Sequence, residues 1–304
     1  MTKTSTETIK GPFADLTNDV AFKWVFGREE TRDLLVALLN ALIPDREITD
    51  VALFKDCQLP YSKEFKKGVF DISCKTEDGT LIDVEVQVKP QYWFAERCLY
   101  YSTYSIQSQI GKGSDEYTLN PVYVVSIDNF VRDHSEQWKG DILSHYMLRE
   151  TQTGERMTDK LHFIFVELPL FKKEWSKLDN DKERFYFCLK HLHELDEIPV
   201  GMLEGLFLKL AGQSKVHAMP ANVKQEYLEN MTTEIDKRAQ MKYALSKATE
   251  QGLAQGLAQG LAQGMEKGEA KAAREIAKNF KTLGISVSDI AKATGLTEAE
   301  VNAL

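Results

Sequence analysis

Apolar residues recur at helical spacing over residues 18–26 (NDVAFKWVF) and 31–42 (TRDLLVALLNAL), and Pro44 ends the second run. The pattern then changes to alternation. Residues 48–59 read as a strand. Two alternating segments, 69–76 and 80–88, flank Glu77-Asp78-Gly79, which is the signature of a β-hairpin. An amphipathic helix is predicted over residues 93–110, closed by Gly111, with Trp93, Phe94, Arg97, Tyr100, Tyr101 and Tyr104 on its face. Pro121 opens another strand, PVYVVSID, and HFIFVELP (162–169) supplies one more; between them DILSHYMLRE is ambiguous and reads as an optional extra strand. After Lys173 the pattern is helical, over 182–195, 200–210 and 223–248. Helix, strands, helix, strands on one core predict an α/β fold: a mixed sheet flanked by helices, followed by a helical C-terminal region.

A chain of 304 residues exceeds the usual single-domain size, so one sizeable core with an appendage is expected. The divisions read from the pattern are a loose N-terminus (1–12), a core (13–175), a helical region (176–248), a Gly-Leu-Ala-Gln repeat as helix or linker (249–275) and a small helical hairpin (276–304). The hydrophobic share of 43% and charged share of 28% exclude disorder throughout. A net charge of −8 excludes a generally basic surface but leaves room for a local cationic groove. The scattered cysteines, Cys57, Cys74, Cys98 and Cys188, form no CxxC pair and read as buried free thiols, which disfavours zinc. With no signal-like N-terminus and no apolar run of spanning length, the expectation is a cytoplasmic protein without a membrane.

The hairpin carries the candidate chemistry. Along residues 81–88 one face shows Ile82, Val84, Val86 and Val88, the other Asp83, Glu85 and Gln87. A polar face on an inner strand needs a reason, because unpaired buried carboxylates are costly. If Glu77-Asp78-Gly79 is a three-residue loop with Gly79 left-handed, Asp71 falls directly opposite Glu85, with Cβ atoms about 4.5–5.5 Å apart. Such a pair repels unless a proton or a cation lies between, and a divalent ion with oxygen ligands is the simplest solution. A two-residue loop would send Asp71 to the other face.

GVFDISCKTEDGTLIDVEVQ, with Asp71 followed by Glu85-Val86-Gln87, resembles the active-site hairpin of the PD-(D/E)XK nucleases, in particular the recombination-promoting nuclease family, also described as PD-(D/E)XK nuclease family transposases. TNDVAFKWVFG near the start, the Arg97-Cys98-Leu99-Tyr100-Tyr101 helix and the Gln- and Gly-rich tail extend the resemblance over nearly the whole chain. It implies a restriction-endonuclease-like fold and a DNA endonuclease acting in recombination or in defence against mobile DNA. Mg²⁺, with Mn²⁺ as substitute, would be held by Asp71, Glu85 and the Val86 carbonyl. The family's usual water-positioning lysine is Gln87 here, which orients water by its amide but supplies no charge. Lys23 and Lys89 are candidates for that charge. Asp19 resembles the acidic residue that some nucleases of this class draw from the first helix toward the metal; a helix-dipole role is the equal alternative.

Asp83 reads as solvated or as support for Glu85. Tyr101 and Gln107 are candidates to meet the scissile phosphate, against a bland reading as core packing. Lys63, Lys66 and Lys67, with Lys23, Lys89 and Arg97, complete the substrate-binding candidates. His191, His193 and His162 make no metal spacing, and neither GxSxG nor a P-loop is present.

The tail repeats with period four: Gly252, Gly256, Gly260, Gly264 and Gly268, beside Leu253, Leu257, Leu261 and Met265. Each helical glycine costs about 1 kcal/mol against alanine, so packing on a second copy is expected to offset the loss, giving a homo-oligomer, most simply a dimer; a flexible linker is the alternative. Ser286 and the Thr297–Glu300 box predict two short helices at the end. The competing functional readings are a catalytically weak or inactive nuclease fold used as a DNA-binding or oligomeric interaction module, and a true transposase. Retention of both Asp71 and Glu85 favours the enzyme.

Overall fold

The computed structural model describes residues 11–54, 70–111 and 116–304. Cys57, Lys63, Lys66, Lys67 and the second half of the strand expected over 48–59 lie outside the described residues. The chain divides into two compact units, Met1–Thr232 and Thr233–Leu304.

The first unit is built on a six-stranded mixed sheet in the order β1-β2-β3-β4-β6-β5. The strands are β1 (Val51–Leu53), β2 (Ile72–Thr76), β3 (Leu81–Gln87), β4 (Val122–Asp128), β5 (Leu143–Met147) and β6 (Leu161–Glu167). The ambiguous segment before β6 is thus the edge strand β5, antiparallel to β6. β3, β4 and β6 run parallel, and β1, β2 and β3 antiparallel. Parallel strands at the centre of a sheet are covered on both faces, which is why Asp83 and Glu85 are buried rather than solvated.

On one face of the sheet pack α1 (Asp19–Phe26), α2 (Arg32–Leu42), α4 (Asp181–His191) and α5 (Gly205–Gln213). They close the main core, with Leu35, Leu39, Phe185 and Leu210 against Ile82, Val84, Val125 and Ile164. α1 starts where Asn18 accepts hydrogen bonds from the Val20 and Ala21 amides at 3.0 and 3.3 Å, a side-chain cap that satisfies donors with no helical partner. On the other face lies α3 (Phe94–Gln107), the helix between β3 and β4. Its Phe94 and Cys98 pack on Val124 and Phe165, and Ile106 packs against Leu81, Val122 and Leu161.

The β2–β3 turn sets the register. Gly79 has φ +88, and Thr76 and Thr80 close the loop through Thr76 N–H to Thr80 O at 3.0 Å. Ser73 pairs with Asp83 and Ile72 with Val84, so the next positions outward, Asp71 and Glu85, stand opposite each other. This is the register of a three-residue loop with a left-handed glycine. A Cβ on Gly79 would also meet Asn120 Nδ2 at 2.9 Å.

α6 (Ala221–Thr282) begins in the first unit, where Tyr227 packs with Ala14 and Val20, and its later turns belong to the second. There the segment that reads as helix or linker is helical, with Leu253, Leu257 and Leu261 each more than 60% exposed (77%, 74% and 66%). α7 (Val287–Thr294) and α8 (Glu298–Asn302) form the terminal hairpin, started by Ser286 and by a Thr297–Glu300 capping box. Ile290 and Val301 bury against Ala277 near the end of α6.

Candidate active site

Beyond the last pair of β2 and β3 the chain leaves two backbone groups of Val86 facing Asp71. The Val86 N–H donates to Asp71 Oδ2 at 2.8 Å. The Gln87 carbonyl turns the other way, accepting from Asn129 N–H at 2.9 Å beside β4. Because N–H and C=O of one strand residue point to the same neighbour, the Val86 carbonyl is directed to the Asp71 side. Asp71, Glu85 and the Val86 backbone therefore converge at one end of the hairpin.

Cations reach the two carboxylates from opposite helices. Lys23 on α1 sets its Nζ 2.9 Å from Asp71 Oδ1, and Arg97 on α3 donates from Nη2 to Glu85 Oε1. The same Nη2 donates to Gln87 Oε1 at 2.7 Å, and Nη1 to Gln91 Oε1 at 2.6 Å. Gln87 uses the other end of its amide on the Lys89 carbonyl, at 2.9 Å. Arg97 thus places a positive charge beside Gln87, whose own side chain carries none. The Arg97 guanidinium also lies 5.8 Å from the centre of the Tyr101 ring, and Tyr101 packs edge-on against Phe70 at 5.5 Å.

The electrostatics are those of carboxylates short of compensation. Burial pushes Glu85 up to about 7, with Arg97 pulling the other way and the Asp71 charge adding to the rise. Burial also holds Asp71 above its ordinary value, against the pull of Lys23 and the Val86 N–H. Glu85 Oε2 is buried and has no hydrogen-bond partner among the described residues. A buried oxygen left unpaired is costly, and a cation bound by the pair would remove that cost. The donor set of two carboxylates and a carbonyl suits Mg²⁺ or Mn²⁺.

Asp83 is different. It is 2% exposed, and both its oxygens are satisfied, by Ser73 Oγ at 2.6 Å and by Ser105 Oγ. Burial raises it to about 6. The solvated reading of Asp83 is therefore wrong: this is a polar tie between β2, β3 and α3. Asp19 lies beside Lys23, 4.0 Å from its Nζ, and accepts from Asn230 Nδ2 at 2.9 Å. Gln107 ends α3 exposed, next to Ile106, which packs at the Leu81 end of the sheet rather than at Glu85.

The structure adds acidic residues that the sequence reading missed. Asp128 pairs with Gln87 across β3 and β4, and Glu167 pairs with Asp128 across β4 and β6; paired positions share a face, so both stand on the Glu85 side. Asp128 accepts from Ser126 Oγ at 2.6 Å, and burial pushes it up to about 7. Glu167 accepts from the Arg132 N–H at 2.8 Å and lies 2.8 Å from His134 Nε2. Both carboxylates are fully buried. The one signal for them was their position as the polar last residues of two apolar strands.

The profile of the family described as PD-(D/E)XK nuclease family transposase matches residues 16–244. No curated protein and no solved structure matches the chain. The match spans the hairpin, α1, α3 and the sheet, and stops short of the period-four tail. Among the described residues no helix is long and apolar enough to cross a membrane.

Proposed function

We propose, from the premise that the chain belongs to the PD-(D/E)XK nuclease family transposases, that it is a divalent-metal-dependent DNA endonuclease. Membership supports a nuclease-like activity of the transposase family; metal, substrate and residue roles are our reading of the site. The observation that carries it is the opposed Asp71 and Glu85 with an unpartnered buried oxygen on Glu85.

In this reading Asp71, Glu85 and the Val86 carbonyl hold Mg²⁺, for which Mn²⁺ substitutes. Such an ion would supply a nucleophilic water near neutral pH and would offset charge growing on the phosphate. Glu85 must give up its proton to ligate, and its value of about 7 places that loss at neutral pH. Lys23 and Arg97, which pair with the carboxylates in the metal-free chain, would then be free to meet the non-bridging phosphate oxygens as substrate contacts, Arg97 through its planar fork. Gln87 orients the attacking water through its amide. Asp128 and Glu167, each tied to Ser126, Arg132 or His134, stiffen the strand ends beneath the site. We assign the role to DNA recombination or to defence against mobile DNA.

The test is cleavage of supercoiled plasmid by purified protein with Mg²⁺, with Mn²⁺ and with chelator. Nicking or linearisation that needs the metal supports the reading. DNA binding without cleavage under any metal would instead make the chain a binding module built on a nuclease fold.

A further inference from the structure

We propose that Asp45, His145 and His162 form a second metal site, fitted to a transition ion of the Zn²⁺ type and separate from the carboxylate pair. One ligand atom from each residue lies within 4.8 Å of the other two. The three come from the loop after α2, from β5 and from β6, so no spacing along the sequence announces them.

Register places the site on the other face of the sheet. His145 pairs with Ile164, and His162 pairs with Tyr123 and Met147. Ile164 and Tyr123 belong to the main core under α2 and α4, whereas Glu85 shares its row with Ser126 and Phe165 on the α3 side. The whole sheet therefore separates the histidines from Asp71 and Glu85.

Hydrogen bonding fixes the ring chemistry. His162 is 2% exposed, and its Nε2 lies 2.8 Å from the Asp159 carbonyl. A carbonyl only accepts, so Nε2 carries the proton and Nδ1 keeps its lone pair in the neutral ring. That Nδ1 lies 2.9 Å from His145 Nε2. A histidine ligand whose second nitrogen is held by a backbone carbonyl is the arrangement that orients metal-binding imidazoles. The Tyr123 ring stacks on His162 at 4.1 Å, and its hydroxyl donates to Asp45 Oδ2 at 3.2 Å, so one side chain positions two of the three ligands.

In the metal-free chain the His145 Nε2–H donates to His162 Nδ1. With an ion between them, His145 takes the other neutral tautomer, its proton on Nδ1, and no net proton is released. Tetrahedral Zn²⁺ sets its ligand atoms about 3.3 Å apart. The two nitrogens therefore open slightly, and the exposed Asp45 carboxylate swings in. Two imidazoles and one carboxylate select Zn²⁺, Co²⁺ or Ni²⁺ over Mg²⁺, and three protein ligands leave a fourth position open.

The experiment uses full-length, untagged, chelator-treated protein carrying Asp71→Asn, titrated with Co²⁺ and followed by visible absorption. The expected result is one equivalent of tetrahedral cobalt, displaced by Zn²⁺, as in the parent. Adding His145→Gln should weaken binding at least tenfold, and adding Asp45→Asn, an exposed change, should weaken it while metal-free melting stays the same. Zn²⁺ should raise the melting midpoint of the parent and leave that of the His145→Gln chain unmoved. The proposal is overturned if the parent shows no tetrahedral cobalt, if His145→Gln and Asp45→Asn both bind as the parent does, or if Asp71→Asn alone abolishes the signal.

Discussion

Glu85→Gln should make the metal-free protein more stable at alkaline pH. Glutamine imitates the protonated glutamate in shape, and its carbonyl still accepts from Arg97. The Glu85 carboxyl rises from 4.5 to about 7 on folding, burial outweighing Arg97. At about 1.4 kcal/mol per pKa unit, the ionised form costs the fold on the order of 3 kcal/mol. The sign follows from proton binding. Below pH 4.5 both folded and unfolded chains are protonated and the group contributes no penalty. Between 4.5 and about 7 the unfolded chain has released its proton while the folded chain holds it, so stability falls as pH rises. Above about 7 the penalty is complete. Glu85→Gln should therefore match the parent near pH 4.5 and exceed it by about 3 kcal/mol at pH 8.5, roughly 6–12 °C in melting midpoint for a unit of this size. Denaturant unfolding with chelator present, at several pH values, reads the difference directly. Mg²⁺ should narrow the gap by stabilising the parent alone. A variant less stable than the parent by the same margin at pH 5 and pH 8.5 would mean that the Arg97 pair outweighs desolvation, and the electrostatic account of the site would fail.

Gln87→Lys, which charge alone would favour, places an ammonium beside the Arg97 guanidinium and removes the acceptor 2.7 Å from Nη2; single-turnover cleavage should fall about tenfold, roughly 1.4 kcal/mol of barrier, and an unchanged or higher rate would show that Arg97 is not the resident cation. In the tail, Leu253, Leu257 and Leu261 are exposed along α6 while no neighbour lies within 4 Å of a Cβ at Gly252, Gly256 or Gly260. Changing the three leucines to glutamine should lower the oligomeric state in sedimentation without loss of helical circular dichroism, since leucine and glutamine have similar helix propensity; equal sedimentation would leave the exposed stripe without a self-association role.

The hairpin was legible because turn chemistry and alternation act locally. Glu77-Asp78-Gly79 sets the loop length, and the loop length decides which residue meets Glu85. The helices around it were legible from their leucine and aromatic spacing. What escaped depends on pairings between distant strands. Asp128 and Glu167 join the site only because β4 lies between β3 and β6, and Arg132 and His134 sit in a connection without periodicity. The position of Gln87 suggested a missing cation, yet only the docking of α3 brings the Arg97 guanidinium beside it. β5 was ambiguous because an edge strand is half-buried and alternates poorly. Lys63, Lys66 and Lys67 fall outside the described residues, so their place as phosphate contacts is a proposal from sequence alone. The histidine pair had no signal, since His145 and His162 meet only through the β5–β6 register.

Whether Asp71 and Glu85 act together on a metal to cut DNA is read from the single-turnover plasmid cleavage rate of Asp71→Asn beside the parent at saturating Mg²⁺. Asparagine keeps the size of the side chain and an oxygen to accept the Val86 N–H, so that tie to the fold stays while the ligating charge and the ion pair with Lys23 are lost. The rate should fall by at least about 10²–10³, the scale on which losing one charge-stabilising contact acts. Cleavage by Asp71→Asn at the parental rate would contradict it.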